Sequence, residues 1–121
     1  MSDKKSVLIL NQHAPYGTSY AREALDVALT CSIFEMPVSL AFLGDGLFQL
    51  LKSHNTQQTG HKNIESMLSA LPMYDIDQIF VCAEDLEANA LSETDLGLPV
   101  QIISRNDLSK LLDSHDTVLT F

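Results

Sequence analysis

Cys82 is the side chain with the most direct route to chemistry in this 121-residue chain. It ends the apolar run Gln78-Ile79-Phe80-Val81-Cys82 and stands just before Glu84 to Leu91, a stretch with helical spacing. A thiol at a helix amino terminus meets unpaired amides and the positive end of the helix dipole, which favour the nucleophilic thiolate. Glu84 and Asp85 bring two carboxylates into the first turn and oppose that charge. No Lys, Arg or His stands close by in sequence to offset them. Cys82 therefore reads as a core or rim cysteine, and no catalytic residue is assigned.

Other constellations fall short of a site. The run Val38 to Leu43 stops at Gly44-Asp45-Gly46, after which Leu47, Phe48, Leu50 and Leu51 resume at helical spacing. A turn at the carboxyl end of a strand is where ligands and partners of α/β sheets sit. The glycine spacing matches neither the dinucleotide fingerprint nor the P-loop, and Asp45 would repel a phosphate. Gly44, Asp45, Gly46 and Phe48 are thus read as a partner interface rather than a nucleotide site. His13 and Tyr16 follow the first apolar run, but Pro15 removes an amide donor there, and Thr18 or Ser19 serves more simply as a helix cap. His54 and His61 have no carboxylate or thiol at ligand spacing, so no metal is expected. No Gly-x-Ser-x-Gly elbow is present, and no cofactor is expected.

The elements that must position these residues follow from composition and pattern. A chain of this length, 45% apolar, supports one core, and residues 1–121 are read as a single domain. Seven Lys and Arg against sixteen Asp and Glu give a formal charge of −9. Direct nucleic-acid binding needs a basic footprint that this balance excludes, and anionic membrane surfaces are disfavoured for the same reason. The apolar run Val7 to Leu10 is too short for a signal core and ends at Asn11-Gln12. Cys31 and Cys82 are then expected as free thiols in the cytoplasm, with Cys31 buried near Leu29, Ile33 and Phe34.

Five strands are expected, at Val7–Leu10, Met36–Leu43, Gln78–Cys82, Pro99–Ile103 and Asp116–Phe121. Between them lie helices. One carries Ala21, Ala24, Leu25, Ala28, Leu29 and Ser32 on its inner face; a short one follows Gly46; a third carries Ile64, Met67, Leu68 and Leu71 and ends at Pro72. A fourth turns Leu86, Ala90 and Leu91 inward, and a last one starts at Ser104, with Asp107 placed for a capping box. Lys52 to Lys62 has no large apolar residue and reads as an exposed loop. Strands alternating with helices predict a flavodoxin-like three-layer α/β/α sandwich on a mainly parallel five-stranded sheet.

Several stretches together resemble one family: Ala14-Pro15-Tyr16-Gly17-Thr18 with Arg22-Glu23-Ala24-Leu25-Asp26, Gly44-Asp45-Gly46-Leu47-Phe48-Gln49-Leu50-Leu51, and Asp116-Thr117-Val118-Leu119-Thr120-Phe121. The turn Tyr74-Asp75-Ile76-Asp77-Gln78 and the strand end Val81-Cys82-Ala83 fit as well. Over essentially its whole length the chain resembles the TusC/DsrF-like members of the DsrE/DsrF/DsrH superfamily. The resemblance implies a subunit of a TusBCD-type heterohexamer, with TusB-like and TusD-like partners. Such a complex passes persulfide sulfur through a TusE-like acceptor towards 2-thiouridine at the tRNA wobble position.

In the sulfur-carrying subunit of that family the cysteine opens a Cys-x-Ala-Ala-Ala-Leu pattern. Counting back from Leu86 puts Val81, not Cys82, at the carrier position. A shift of one residue on a strand turns a side chain to the opposite face. The resemblance therefore implies a non-catalytic structural subunit. The rival readings are a DsrF-like subunit of a sulfur-oxidation complex, a sulfurtransferase using Cys82 directly, and a flavodoxin-like module for a small molecule.

Overall fold

Strands with no polar face need a layer of structure above and below them, and this chain supplies both. The computed structural model describes residues 5–51 and 61–121. The elements are β1 (Val7–Asn11), α1 (Tyr20–Ile33), β2 (Val38–Phe42), a 3₁₀ helix (Gly44–Leu50), α2 (His61–Ala70) and a 3₁₀ turn (Leu71–Tyr74). They continue with β3 (Gln78–Cys82), α3 (Ala83–Ala88), a 3₁₀ turn (Glu93–Asp95), β4 (Gln101–Ile103), α4 (Arg105–Asp113) and β5 (Thr117–Thr120).

The five strands form one sheet in the order β4-β3-β2-β1-β5, and every pairing is parallel. The chain steps one way across the sheet from β1 to β4, then returns past β1 to add β5. Strand alternation divides the side chains between two cores. Val7, Ile9, Val38, Leu40, Phe42, Ile79 and Val81 face α1, α2 and α3, where Ala24, Leu25, Ile64, Leu68 and Leu86 meet them. Leu8, Leu10, Ala41 and Phe80 face the other way, against Leu108, Leu111 and Leu112 of α4. The result is the expected three-layer α/β/α sandwich, thick on one side and thin on the other.

Local chemistry sets the boundaries. Ala21, Ala24 and Ala28 keep the buried face of α1 small, so its axis can approach the sheet closely. Ser19 holds the N-cap position, yet its hydroxyl donates to Glu23 Oε2 at 3.0 Å instead of accepting a helix amide. Ser104 Oγ does accept the Asp107 amide at 3.1 Å, whereas the Asp107 carboxylate turns to Lys110 Nζ at 3.9 Å. The reciprocal capping box falls instead at Ser92 and Asp95.

Four expectations are corrected. The element after β2 is a 3₁₀ helix that begins at Gly44 itself, so the expected Gly44-Asp45-Gly46 turn forms its first turn. Helix α3 stops at Ala88, and Ala90, in left-handed backbone at φ 56°, points to solvent. Cys31 is half-buried rather than buried, and Ile33 and Phe34 are exposed because the last turn of α1 runs past the rim of the sheet. Of the loop expected at 52–62, residues 52–60 lie outside the described residues and His61 and Lys62 open α2.

Candidate functional site at the carboxyl edge of the sheet

Parallel strands bring all their carboxyl ends to one edge, so residues far apart in sequence become neighbours there. Cys82 ends β3 and is the N-cap residue of α3. It is completely buried, on the face shared with Phe80 and α4, whereas Val81 points into the larger core. Its Sγ donates to Glu84 Oε1 at 3.5 Å.

Glu84 and Asp85 extend from the first turn of α3 and tie the edge together. The Glu84 carboxylate accepts the Arg105 amide at the start of α4, at 3.1 and 3.2 Å. That amide, followed by Glu84's own, holds its carboxyl below the usual range. Asp85 uses both oxygens: Oδ1 takes the Arg105 guanidinium at 3.0 Å, and Oδ2 takes the Gly44 amide at 3.0 Å. One pair of acidic residues after β3 thus fixes the starts of α4 and of the 3₁₀ helix after β2. The cleft beside them, about 280 Å³, is lined by Gln12, Leu43, Gly44, Asp85, Arg105 and Leu108.

The four interface residues expected from sequence separate by role. Gly44 has φ +52°, the left-handed backbone that glycine adopts without penalty. Gly46 is buried, and a Cβ placed on it would lie 1.9 Å from the Asn11 carbonyl oxygen, so here the glycine permits close approach to β1. Asp45 is exposed and Phe48 half-exposed. The four residues share one short element, but only Asp45, Phe48 and part of Gly44 present surface.

The loop after β1 packs against the same element. Gln49 Nε2 donates to the His13 carbonyl at 2.8 Å, and the His13 ring stacks on Tyr20 with centroids 4.4 Å apart. Asn11 Nδ2 bridges the Ile9 and Ala41 carbonyls, each at 3.2 Å, and so staples β1 to β2. Tyr16 and Tyr20 are exposed beside this loop. His54 and the side chain of His61 lie outside the described residues. Among the described residues no group of three or more His, Cys, Asp or Glu is placed to hold a metal ion. No described helix is long and apolar enough to cross a membrane.

Arg105 is the functional-edge residue that sequence reasoning missed. It follows the capping Ser104 directly after β4, and β4 pairs with β3 in parallel. In a parallel sheet that position shares an edge with Cys82, which is the signal that could have found it.

The DsrE/DsrF-like family model matches residues 5–121. The chain belongs to the DsrE/DsrF-like family. Among curated DsrE/DsrF-like relatives, the TusC homolog of Pseudomonas aeruginosa is 37% identical over 116 residues, covering 96% of this chain and 98% of that protein. TusC of Buchnera aphidicola subsp. Baizongia pistaciae is 34% identical, covering 97% and 99%. The intracellular sulfur oxidation protein DsrF of Allochromatium vinosum is also 34% identical, covering 97% and 96%. The YchN protein of E. coli, a solved structure, shares the fold with a TM-score of 0.82 at 24% identity, covering 97% of this chain and 99% of that one.

Proposed function

We propose that this chain is a non-catalytic structural subunit of a TusBCD-type sulfur-relay complex, assembled with TusB-like and TusD-like subunits. In that reading the complex passes persulfide sulfur to a TusE-like acceptor for 2-thiouridine formation at the tRNA wobble position, in the cytoplasm. The likeness to TusC proteins over nearly the whole chain supports the assignment to such a complex.

The observation that carries the non-catalytic role is the complete burial of Cys82 beneath Glu84. A sulfur carrier must expose its thiol to an incoming persulfide, because exchange proceeds by direct attack of one sulfur on another. The charge of −9 fits a chain that meets protein subunits and leaves tRNA to other components. The face built from Gly44, Asp45 and Phe48, with Gly46 as its packing point on β1, is the proposed contact with the sulfur-carrying subunit. Its neighbours Tyr16 and Tyr20 add the exposed aromatic area in which interfaces are enriched.

The test is purification of the native protein with its companions, followed by persulfide trapping on each chain. The reading expects related subunits to co-purify and persulfide to accumulate on a companion. A strictly monomeric chain, or one that traps persulfide on Cys82, contradicts it.

A further inference from the structure

At the edge opposite Cys82, the amino ends of β2 and β3 meet the carboxyl end of α1. Four large apolar side chains are exposed there: Ile33 (66%), Phe34 (62%), Met73 (84%) and Tyr74 (37%). They come from two elements that meet where Ser32 Oγ donates to the Tyr74 carbonyl oxygen. Where these two elements meet lies a groove of about 340 Å³, lined by Ser32, Glu35, Pro37, Tyr74, Asp75 and Ile76 among others. Single apolar residues on a surface need no explanation, but four large ones at the ends of two adjoining elements, next to a groove, point to an interaction site.

The charge of the rim indicates what fits. Glu35 and Asp75 both line the groove, both are exposed, and no Lys or Arg lines it. Neither carboxylate has an ion-pair partner among the described residues. Their positions are fixed by the turns that end the preceding helices, where the Glu35 amide donates to Ser32 O at 2.8 Å and the Asp75 amide to Pro72 O at 3.1 Å.

We propose that this face docks a different, more basic protein chain, which presents apolar side chains flanked by lysine or arginine. A second copy of this chain fits poorly. An isologous contact would set Glu35 and Asp75 against the same carboxylates, and seven basic residues among sixteen acidic ones supply little to neutralise them. The face lies at the opposite end of the strands from Asp45 and Phe48, so one subunit can hold two neighbours at once. This inference rests on the subunit reading above and adds a second, chemically defined contact to it.

The experiment uses the full complex captured through a tag on this chain, with every companion identified and quantified by mass spectrometry. One variant is Ile33→Asp with Met73→Asp; the other is Glu35→Lys with Asp75→Lys. All four side chains are exposed, and circular dichroism melting checks that each variant folds. Each variant is expected to lose one companion at least tenfold while retaining another, and wild-type capture of the lost companion should weaken as salt is raised. If both variants keep every companion at the wild-type ratio, the docking face is wrong and the subunit reading stands. Loss with the apolar variant alone contradicts the basic rim. Dimerisation of the isolated chain that Ile33→Asp abolishes makes the occupant a second copy and overturns the proposal. If the wild-type chain captures no related subunit, the subunit reading fails and this inference fails with it.

Discussion

Arg105 at the start of α4 donates to Asp85 at the start of α3 across 3.0 Å, and this pair locks together two helices that begin on neighbouring strands. The guanidinium is largely exposed, at 63%, while the carboxylate is 17% exposed and also holds the Gly44 amide. The two partners therefore differ in what they contribute.

Asp85→Ala is expected to destabilise the protein by about 1–3 kcal/mol, since it leaves the Gly44 amide without its partner. Arg105→Ala should cost clearly less, because it removes only the exposed partner of an ion pair that solvent screens. Urea unfolding measures both. Equal losses for the two variants would show that the ion pair, rather than the amide contact, dominates this corner.

Gly46→Ala tests close packing between β1 and the 3₁₀ helix. The added methyl would meet the Asn11 carbonyl oxygen at 1.9 Å, and a backbone atom in the middle of a sheet has little room to move. Overpacking of this kind costs about 1–3 kcal/mol, and the upper end is expected. At Gly44, where nothing lies within 4 Å, alanine meets only the φ +52° penalty, so the loss should be nearer about 1 kcal/mol. Thermal melts that rank Gly44→Ala as the more damaging change would contradict this packing.

Acid should loosen the sheet at both of its edges. Glu84 is held below its ordinary value of 4.5, first by the Arg105 amide, and Asp116 below 3.8, first by the Ser6 amide. A depressed carboxyl binds fewer protons folded than unfolded, so its contribution is present above the ordinary value and is lost as pH falls through the lowered one. Melting temperature measured from about pH 6 down to about pH 2.5 should therefore fall, and Glu84→Gln should flatten the drop. An unchanged acid limb in that variant would count against the Glu84–Arg105 contact.

The strands were legible because burial on two sides leaves continuous apolar runs, and β3 occupies the expected Gln78–Cys82. The inner face of α1 was legible from Ala21, Ala24, Leu25 and Ala28. Helix ends were harder. Glu35, Asp75 and Ala90 all take left-handed backbone, where glycine would have announced the stop. Ile33 and Phe34 looked like core because hydropathy does not report where a helix outruns its sheet. Arg105 was hidden because its nearness to Cys82 depends on β4 lying beside β3, and strand order leaves no local mark. The opposed faces of Val81 and Cys82, in contrast, follow from strand alternation alone.

The proposed structural role requires that Cys82 carry no sulfur. The most direct measurement is persulfide transfer by the assembled complex with Cys82→Ser in this subunit and wild-type partners, with Cys82→Ala as a second variant. Gel filtration establishes that each complex assembles. Because the thiol is fully buried and hydrogen-bonded to Glu84, transfer is expected within about twofold of wild type, a change of less than about 0.5 kcal/mol in the barrier. Loss of transfer from a normally assembled complex would contradict it and make Cys82 a catalytic residue.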